Sequence, residues 1–179
     1  MTLTNPPLPG AFTSIIFVCL GNICRSPFAA LLMERRLTDV NVVGIRCASA
    51  GIRTTQSGRS PDEACNAAAP YGLSLENHRP QTLTRELVDS HDVIVVMDAA
   101  QLLELRTSYP DAADRILLLS LFDPELSAYE RYNILDPFAR SRADFDRCYG
   151  RIDRAISNFL ASARTNRKHR PESRESSIR

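Results

Sequence analysis

Several features that would narrow the function of this chain are missing from its sequence. Its 179 residues include no tryptophan, three histidines and one lysine. No apolar run approaches the roughly 20 residues that a membrane-spanning helix needs. The first residues, MTLTNPPLPGAF, contain three prolines and no basic residue, which is a poor match to a signal peptide. We therefore expect a cytoplasmic protein without membrane insertion.

The sequence also lacks an excess of either charge. It has 22 basic and 21 acidic side chains and a net charge of +1, so no overall field favours nucleic acid as a partner. Hydrophobic residues make up 44% and charged residues 24% of the chain, both typical of a globular protein. A chain of this length suits one domain with a sizeable core.

A disulfide framework and a metal centre are both disfavoured. The cysteines are odd in number and irregularly spaced, at Cys19, Cys24, Cys47, Cys65 and Cys148. That pattern is unlike the paired cysteines of a secreted disulfide scaffold. No histidine lies at ligand spacing from a cysteine pair, so we expect no metal site.

Apolar runs alternate with segments of helical period, which predicts βαβ units and a parallel sheet. The predicted strands are residues 14–20, 40–49, 92–98 and 115–120. The predicted helices are residues 26–39, 60–72, 99–109 and about 141–163. We therefore expect an α/β, three-layer, flavodoxin-like domain, with a four-stranded parallel sheet and helices on both faces. Such sheets bind ligands beyond the carboxyl ends of their strands.

This pattern divides the chain into a domain and two ends. Residues 1–13 form an N-terminal extension, and residues 14–163 form the domain. Residues 164–179 carry six basic side chains against two glutamates and one large apolar side chain, Ile178. A segment with so little apolar surface is expected to be a disordered basic tail.

Residues 18–27 read VCLGNICRSP and follow the first predicted strand directly. A strand that leads through a glycine-containing loop into a helix points backbone N–H groups and the positive end of the helix dipole at one place. Gly21 and Asn22 are residue types that accept positive φ angles, and Arg25 supplies a planar cation that matches phosphate oxygens. Cys19 in the same field is expected to be a thiolate. A thiolate beside a bound phosphate is a phosphoryl acceptor.

The spacing of Cys19 and Arg25 is not distinctive by itself. Cys47 with Arg53, and Cys148 with Arg154, have the same spacing. The first pair is followed by no helix, and the second lies within one helix, where no anion-binding loop can form. Context therefore singles out Cys19.

The stretch CLGNICRSP resembles the active-site loop of the low-molecular-weight protein tyrosine phosphatases. The resemblance extends over residues 15–160 and includes ASAGI, GLSLENH, VIVVMD and LDPF. It implies the four-stranded parallel fold expected above. It also implies an enzyme that hydrolyses phosphotyrosine through a phosphocysteine on Cys19, with Arg25 binding the phosphate and no metal or other cofactor.

Such a reaction needs an acid, because protonation of the leaving phenolate assists its departure. Two Asp-Pro pairs compete for this role, at Asp123 and at Asp136. Asp123 is assigned to a turn. Asp136 matches the family's general acid and base, with Pro137 restricting its backbone and Phe138 as a wall for the substrate ring.

The resemblance also gives roles to residues around the nucleophile. Ser26 is expected to cap the first helix, with Pro27 at its first position, and to hydrogen-bond the sulfur. Asn22 is expected to be held in a strained turn by Ser49 and His78, the histidine being structural. The predicted substrate-binding residues are Leu20, Gly21, Asn22, Ile23, Cys24, Ser26 and Phe138.

A second cysteine lies in the same loop. In relatives that have it, the pair closes a disulfide that protects the nucleophile from over-oxidation, because a neighbouring thiol traps a sulfenic acid reversibly. The resemblance thus implies a redox role for Cys24 with Cys19. The alternative is that Cys24 only fills space in the loop.

Two departures from the family indicate its branch. Residues 52–56, IRTTQ, lack the aromatic residue that lines the pocket in many relatives. In this respect the chain resembles the bacterial branch that is paired with tyrosine autokinases of capsule and exopolysaccharide export. Phe138 and Ala139 replace tyrosines of animal members, which argues against regulation by phosphorylation there. The expected partner is a phosphotyrosine protein, in particular a tyrosine autokinase. A monomer or weak dimer is expected.

Two other functions remain open. A thioredoxin-coupled arsenate reductase uses the same fold and loop but needs resolving cysteines downstream, and residues 66–147 contain no cysteine. A phosphate-binding or phosphotyrosine-binding module without turnover would not need Cys19, Arg25 and Asp136 together, and all three are present.

Overall fold

The computed structural model describes residues 3–9, 11–54, 58–123 and 129–168. Its strands are β1 (Ser14–Cys19), β2 (Arg46–Gly51), β3 (Val93–Val96) and β4 (Ile116–Leu118). They form one sheet in the order β2-β1-β3-β4, and every neighbouring pair is parallel. The four-stranded parallel sheet predicted from the sequence is therefore confirmed.

Five α-helices lie within the described residues. They are α1 (Arg25–Asp39), α2 (Asp62–Ala68), α3 (Arg85–Asp89), α4 (Ala99–Ser108) and α5 (Arg142–Lys168). Helix α2 continues as a 3-10 turn (Ala69–Tyr71) that ends at Gly72, whose φ of 70° is left-handed. Helix α3 has no counterpart among the predicted elements, because five residues are too few to show a helical period. None of the helices in the described ranges is long and apolar enough to cross a membrane.

Strand β1 is the centre of the core. Its side chains alternate between two buried clusters, with Ile15 and Phe17 in one and Ile16 and Val18 in the other. All four are fully buried, and burial of each contributes about 1.5–3 kcal/mol. Helices α1, α2 and α5 supply the first cluster, while α3 and α4 supply the second. The predicted three layers, with helices on both faces, are confirmed.

The order of the strands creates a crevice at the carboxyl edge of the sheet. Strand β1 pairs with β2 on one side and with β3 on the other. The chain therefore leaves the ends of β1 and β3 in opposite directions along the sheet, and a gap opens between the two connections. Ligands bind at such switch points in open α/β sheets.

The second strand lies later in the sequence than predicted. Residues 40–45 are apolar and β-branched, yet Asn41 and Gly44 have positive φ angles of 54° and 83°, and Val43 is 92% exposed. This segment is a turn after α1, and β2 begins at Arg46. The apolar composition of this segment resembles that of a buried strand, which is why the sequence pattern places the start of the second strand too early.

The predicted cap of the first helix is wrong. Helix α1 begins at Arg25, with Cys24 at the cap position, and no side-chain capping bond is present. The hydroxyl of Ser26 is instead fully buried and within hydrogen-bond distance of Cys19 and Asn22. Ser26, the second residue of α1, therefore contacts the nucleophile and the loop and does not cap the helix.

Described residues on either side of the predicted domain, 14–163, also contribute to the fold. In the N-terminal extension, Phe12 is buried in the core. The amide of Asn5 donates to the carbonyl of Leu118 at 3.0 Å and accepts from its N–H at 2.7 Å, so it pairs with the edge strand β4. Helix α5 ends at Lys168 and not at residue 163. The rest of the predicted tail, residues 169–179, lies outside the described residues.

Candidate active site

The loop of residues 20–24 connects β1 to α1 at the crevice. Cys19 is the last residue of β1, and 3% of its surface is exposed. The backbone N–H of Asn22 donates to its sulfur at 3.3 Å, and Ser26 Oγ lies 3.0 Å from the same atom. The sulfur thus lies at the N-terminus of a helix among hydrogen-bond donors, which is the setting of a cysteine nucleophile.

Asn22 holds the loop in its strained form. It has a φ of 54°, and its side chain donates to Ser26 Oγ and Ser49 Oγ, both at 2.9 Å. The oxygen of its side-chain amide accepts a hydrogen bond from the backbone N–H of Gln81 at 2.9 Å. The predicted contact with Ser49 is present, and Gln81 is a partner that the sequence does not reveal. Gly21, also expected at a positive φ, does not have one.

His78 supports the same turn from outside the loop. Its Nε2 lies 2.7 Å from the backbone carbonyl of Asn22, so this nitrogen carries the proton that it donates. Burial lowers the pKa of His78 from its ordinary value. The predicted contact between His78 and the turn at Asn22 is therefore present, and its structural role stays a prediction.

Arg25 is buried with one donor left over. Its Nη1 donates to Asp98 and to the backbone carbonyl of Ile134, both at 3.1 Å, and its Nη2 contacts Asp136. Its Nε is buried and has no partner among the described residues. An unpaired buried donor costs about 1–3 kcal/mol, so an acceptor bound next to this N–H would remove that cost.

Charge around Arg25 keeps the guanidinium protonated. Burial acts to lower its pKa, but Cys19, Asp136 and Asp98 together raise it above its ordinary value. Of these groups, Asp98 comes from the end of β3, where it also caps α4 by accepting from the N–H of Gln101 at 2.9 Å. The side chain of Gln101 donates to Asp98 at 2.6 Å and accepts from Met97 N at 3.0 Å.

A pocket of about 250 Å³ opens above the sulfur. It is lined by Cys19, Leu20, Gly21, Ile23, Cys24, Arg53, Asp136 and Phe138. The pocket brings together the predicted nucleophile, the predicted acid and most of the predicted substrate-binding residues. Asn22 and Ser26 do not line it, because both are fully buried beneath the loop.

Asp136 stands at the rim of this pocket. Its side chain is 41% exposed, with one carboxylate oxygen on Arg25 and the other accepting from the N–H of Phe138 at 3.1 Å. The other Asp-Pro aspartate, Asp123, is buried elsewhere and pairs with Arg154 at 3.1 Å. Asp136 thus lines the pocket, whereas Asp123, predicted to belong to a turn, lines no part of it.

Cys24 lies on the inner side of the loop. It is 3% exposed, and burial raises the pKa of its thiol well above the ordinary value, with Asp136 adding to the effect. Its carbonyl accepts from Tyr149 Oη at 3.2 Å, and the Tyr149 ring stacks on Phe28 with centroids 3.7 Å apart. Helix α5 thereby anchors the end of the loop. Cys19 and Cys24 are both free thiols.

Arg53 is a pocket residue that the sequence does not assign to the site. The backbone continues from β2 alongside the loop, with Ile52 N donating to Cys19 O at 2.9 Å and Arg53 N to Leu20 O at 2.8 Å. The approach is close because β2 ends in Gly51, where an added Cβ would lie 2.9 Å from the Leu20 carbonyl oxygen. The only signal in the sequence is the missing aromatic residue at this loop.

The chain matches known proteins over most of its length. The family model for low molecular weight phosphotyrosine protein phosphatases matches residues 14–170. Etp of Escherichia coli K12, a low molecular weight protein-tyrosine-phosphatase, is 31% identical over 148 residues, covering 83% of this chain and 93% of Etp. EpsP of Ralstonia nicotianae is 31% identical over 151 residues, covering 84% of this chain and 96% of EpsP.

A solved structure gives the same result for the fold. The crystal structure of the tyrosine phosphatase amsI of Erwinia amylovora superimposes with a TM-score of 0.75 at 28% identity, covering 88% of this chain and 97% of amsI. Sequence, loop geometry and architecture agree. The chain belongs to the low molecular weight phosphotyrosine protein phosphatase family.

Proposed function

We propose that this protein hydrolyses phosphotyrosine in proteins, with Cys19 as nucleophile, Arg25 as phosphate-binding residue and Asp136 as general acid and base. The observation that carries the proposal is that Cys19 and Asp136 line one pocket, while the buried guanidinium of Arg25 contacts Asp136. Family membership supports the same reaction. The relatives Etp and amsI are tyrosine phosphatases by name.

In the first step the Cys19 thiolate attacks phosphorus, and the bond between phosphorus and the tyrosine oxygen breaks. Asp136 gives its proton to the departing oxygen, so tyrosine leaves as a neutral phenol. Arg25 and the backbone N–H groups of the loop bind the phosphoryl oxygens, and the dipole of α1 favours their negative charge. Because Asp136 contacts Arg25 in the free protein, the entering phosphate displaces its carboxylate from the guanidinium. The displaced carboxylate takes up a proton from solvent and is then the acid that faces the leaving oxygen.

In the second step Asp136 accepts a proton from water as the water oxygen attacks phosphorus. The bond between phosphorus and sulfur breaks, and Cys19 leaves as a thiolate. Ser26 Oγ, 3.0 Å from the sulfur, donates a hydrogen bond that stabilises this leaving group. The products are inorganic phosphate and the original thiolate, so no metal or cofactor is consumed.

The walls of the pocket support an aromatic substrate. Leu20 and Phe138 are exposed at 43% and 55%, and Ile23 lines the pocket between them and the sulfur. Apolar side chains that remain exposed around a phosphate site are suited to the two faces of a phenyl ring. A phosphoserine would bring its phosphate to the sulfur, but it has no ring to cover Leu20 and Phe138.

A redox function for Cys24 is a separate proposal. A peroxide oxidises the Cys19 thiolate to a sulfenic acid, and the Cys24 thiol then displaces the sulfenic oxygen, which leaves as water while a disulfide forms. The raised pKa of Cys24 makes this second reaction slow, because the thiolate is the attacking species.

The partner that we propose is a tyrosine autokinase of exopolysaccharide or capsule export, acting in the cytoplasm. This proposal depends on the missing aromatic residue in residues 52–56 and on the bacterial relatives at 31% identity. A phosphorylated autokinase tail should be dephosphorylated faster than an unrelated phosphotyrosine peptide. Equal rates would refute the pairing and leave the phosphatase activity intact.

The experiment for the activity itself is phosphate release from a phosphotyrosine peptide in the presence of a metal chelator. The native protein should turn over, and Cys19→Ser should not. A Cys47→Ser variant is the matched control, because Cys47 lies outside the pocket and should be dispensable. Reduction of arsenate with thioredoxin, without phosphate release, would instead favour the reductase.

A further inference from the structure

A second cleft adjoins the catalytic pocket. It measures about 400 Å³ and is lined chiefly by α4 and by the segment before Asp136. The two cavities share Leu20, Arg53 and Asp136, which form the ridge between them. A peptide whose phosphotyrosine enters the pocket therefore places a neighbouring residue over this ridge or in the cleft.

Arg53 is fixed on the ridge at its backbone and at its guanidinium. Its N–H donates to Leu20 O at 2.8 Å, so its Cα cannot move away from the catalytic loop. Its Nη2 donates to Glu104 Oε1 on α4 at 2.8 Å. The side chain is 66% exposed, and no other partner is found for it among the described residues. Its remaining N–H donors face solvent at the mouth of the site.

Among the described residues, Arg25 is the other cation that lines the cleft. Arg25 is buried and contacts Asp98 and Asp136, while Asp98 also accepts from Gln101. A substrate side chain that reaches the cleft thus meets Arg53 as the accessible cation. Guanidinium groups bind carboxylate and phosphate oxygens through paired N–H donors.

We propose that Arg53 is a specificity-determining residue that selects substrates with an acidic side chain next to the phosphotyrosine. The proposal rests on the phosphatase function above and specifies the substrate class for the same site. Glu104 positions the guanidinium but also competes with the substrate's acidic group for it. Arg53 and Glu104 therefore set the preference in opposite directions.

The test uses three phosphotyrosine peptides that differ only in their neighbouring residue: glutamate before, glutamate after, or glutamine at both places. For one of the glutamate peptides, kcat/KM should exceed that of the glutamine peptide by about 2- to 5-fold, as a partly exposed ion pair allows. The difference should lie in KM, since the contact is present in both ground and transition states. It should shrink when salt rises from about 0.05 M to about 0.5 M.

Four variants assign the preference to its residue. In Arg53→Gln the ratio of kcat/KM for the preferred glutamate peptide to kcat/KM for the glutamine peptide should fall to about 1. Arg53→Lys should keep part of this preference, since the charge remains. Glu104→Gln should increase the ratio, because the competing carboxylate is gone. Arg59→Gln is the matched control: Arg59 is 77% exposed and lines neither cavity, so the native ratio should persist.

The outcomes separate this inference from the phosphatase function. Equal kcat/KM for all three peptides in the native protein, or an unchanged ratio in Arg53→Gln, overturns the role of Arg53 while phosphotyrosine hydrolysis stands. No hydrolysis of any peptide overturns both. Thermal unfolding of each variant shows whether a lost ratio comes from a folded protein.

Discussion

Asp136 is the one carboxyl group that lines the pocket with Cys19 in the described part of the chain. Asp136→Ala should lower kcat for an aryl phosphate by about 10²- to 10⁴-fold, the usual contribution of general acid catalysis. Inorganic phosphate should inhibit the variant at least as strongly as the native protein, because the carboxylate that contacts Arg25 is gone. Steady-state kinetics with phosphate as inhibitor measures both effects.

The control for this change is Asp146→Asn. Asp146 is an exposed residue of α5 that pairs with Arg142, so its variant should keep native kinetics. A native kcat in Asp136→Ala would remove Asp136 from proton transfer. Weaker phosphate inhibition would contradict the competition between Asp136 and phosphate for Arg25.

Asp98 orients Arg25 from below the site. Asp98→Asn should reduce kcat/KM by about 10-fold, because a neutral amide holds the guanidinium less firmly than a carboxylate. The thermal stability should change little, since asparagine also caps a helix N-terminus such as that of α4. A large drop in melting temperature with unchanged kcat/KM would show that Asp98 serves only α4.

At the residue scale, the types of neighbouring residues predict the loop, whereas distant site residues such as Asp136 are predicted only through the family resemblance. Cys19, Asn22 and Arg25 share one short motif whose loop conformation follows from its residue types. Asp98 and Arg53 follow other strands, and nothing local marks them as neighbours of the loop. Parallel strands bring their carboxyl ends to one edge of the sheet. Which of these ends are neighbours depends on the order of the strands in the sheet.

At the scale of elements, the N-terminal segment stabilises the edge of the sheet. Asn5 bonds both backbone groups of Leu118, so Asn5→Ala should lower the free energy of unfolding by about 1–2 kcal/mol. Urea unfolding measures the loss, and Thr4→Ala, an exposed neighbour, is the control. Equal stability of the two variants would mean that water replaces both bonds at no cost.

Strands and helices with a clear hydrophobic pattern could be predicted from the sequence, and those without such a pattern could not. Strand β1 is a continuous apolar run because both of its faces are covered, and helix α1 shows a buried stripe. The apolar segment 40–45 has the composition of a strand but contains two residues with positive φ angles. Composition does not distinguish a turn of this kind from a strand.

At the scale of the whole molecule, stability should depend on pH near neutrality. His91 is 4% exposed, its Nδ1 donates to the Leu87 carbonyl at 2.7 Å, and its Nε2 is buried with no partner among the described residues. Burial lowers its pKa from the ordinary 6.5, with Arg46 and Arg115 adding to the effect and Asp92 opposing it. Protonation would place an N–H where no described group accepts it.

The sign follows from proton uptake. The unfolded chain binds a proton at His91 near pH 6.5, and the folded chain binds it only at lower pH. The stability is therefore full above this range and decreases as the pH falls through it. The melting temperature should be lower at about pH 5.5 than at about pH 7.5, and His91→Gln should show a smaller difference. An equal difference in the variant would exclude His91 as a cause.

The central claim is that Cys19 carries the phosphoryl group between two half-reactions. The most direct test is to quench the native protein with an alkaline denaturant, in which phosphocysteine is stable, during turnover of a phosphotyrosine peptide and to locate phosphate on its peptides by mass spectrometry. The account predicts one phosphoryl group on the sulfur of Cys19, which disappears when the substrate is exhausted. Turnover without a phosphorylated Cys19, or with phosphate on another residue, would contradict it.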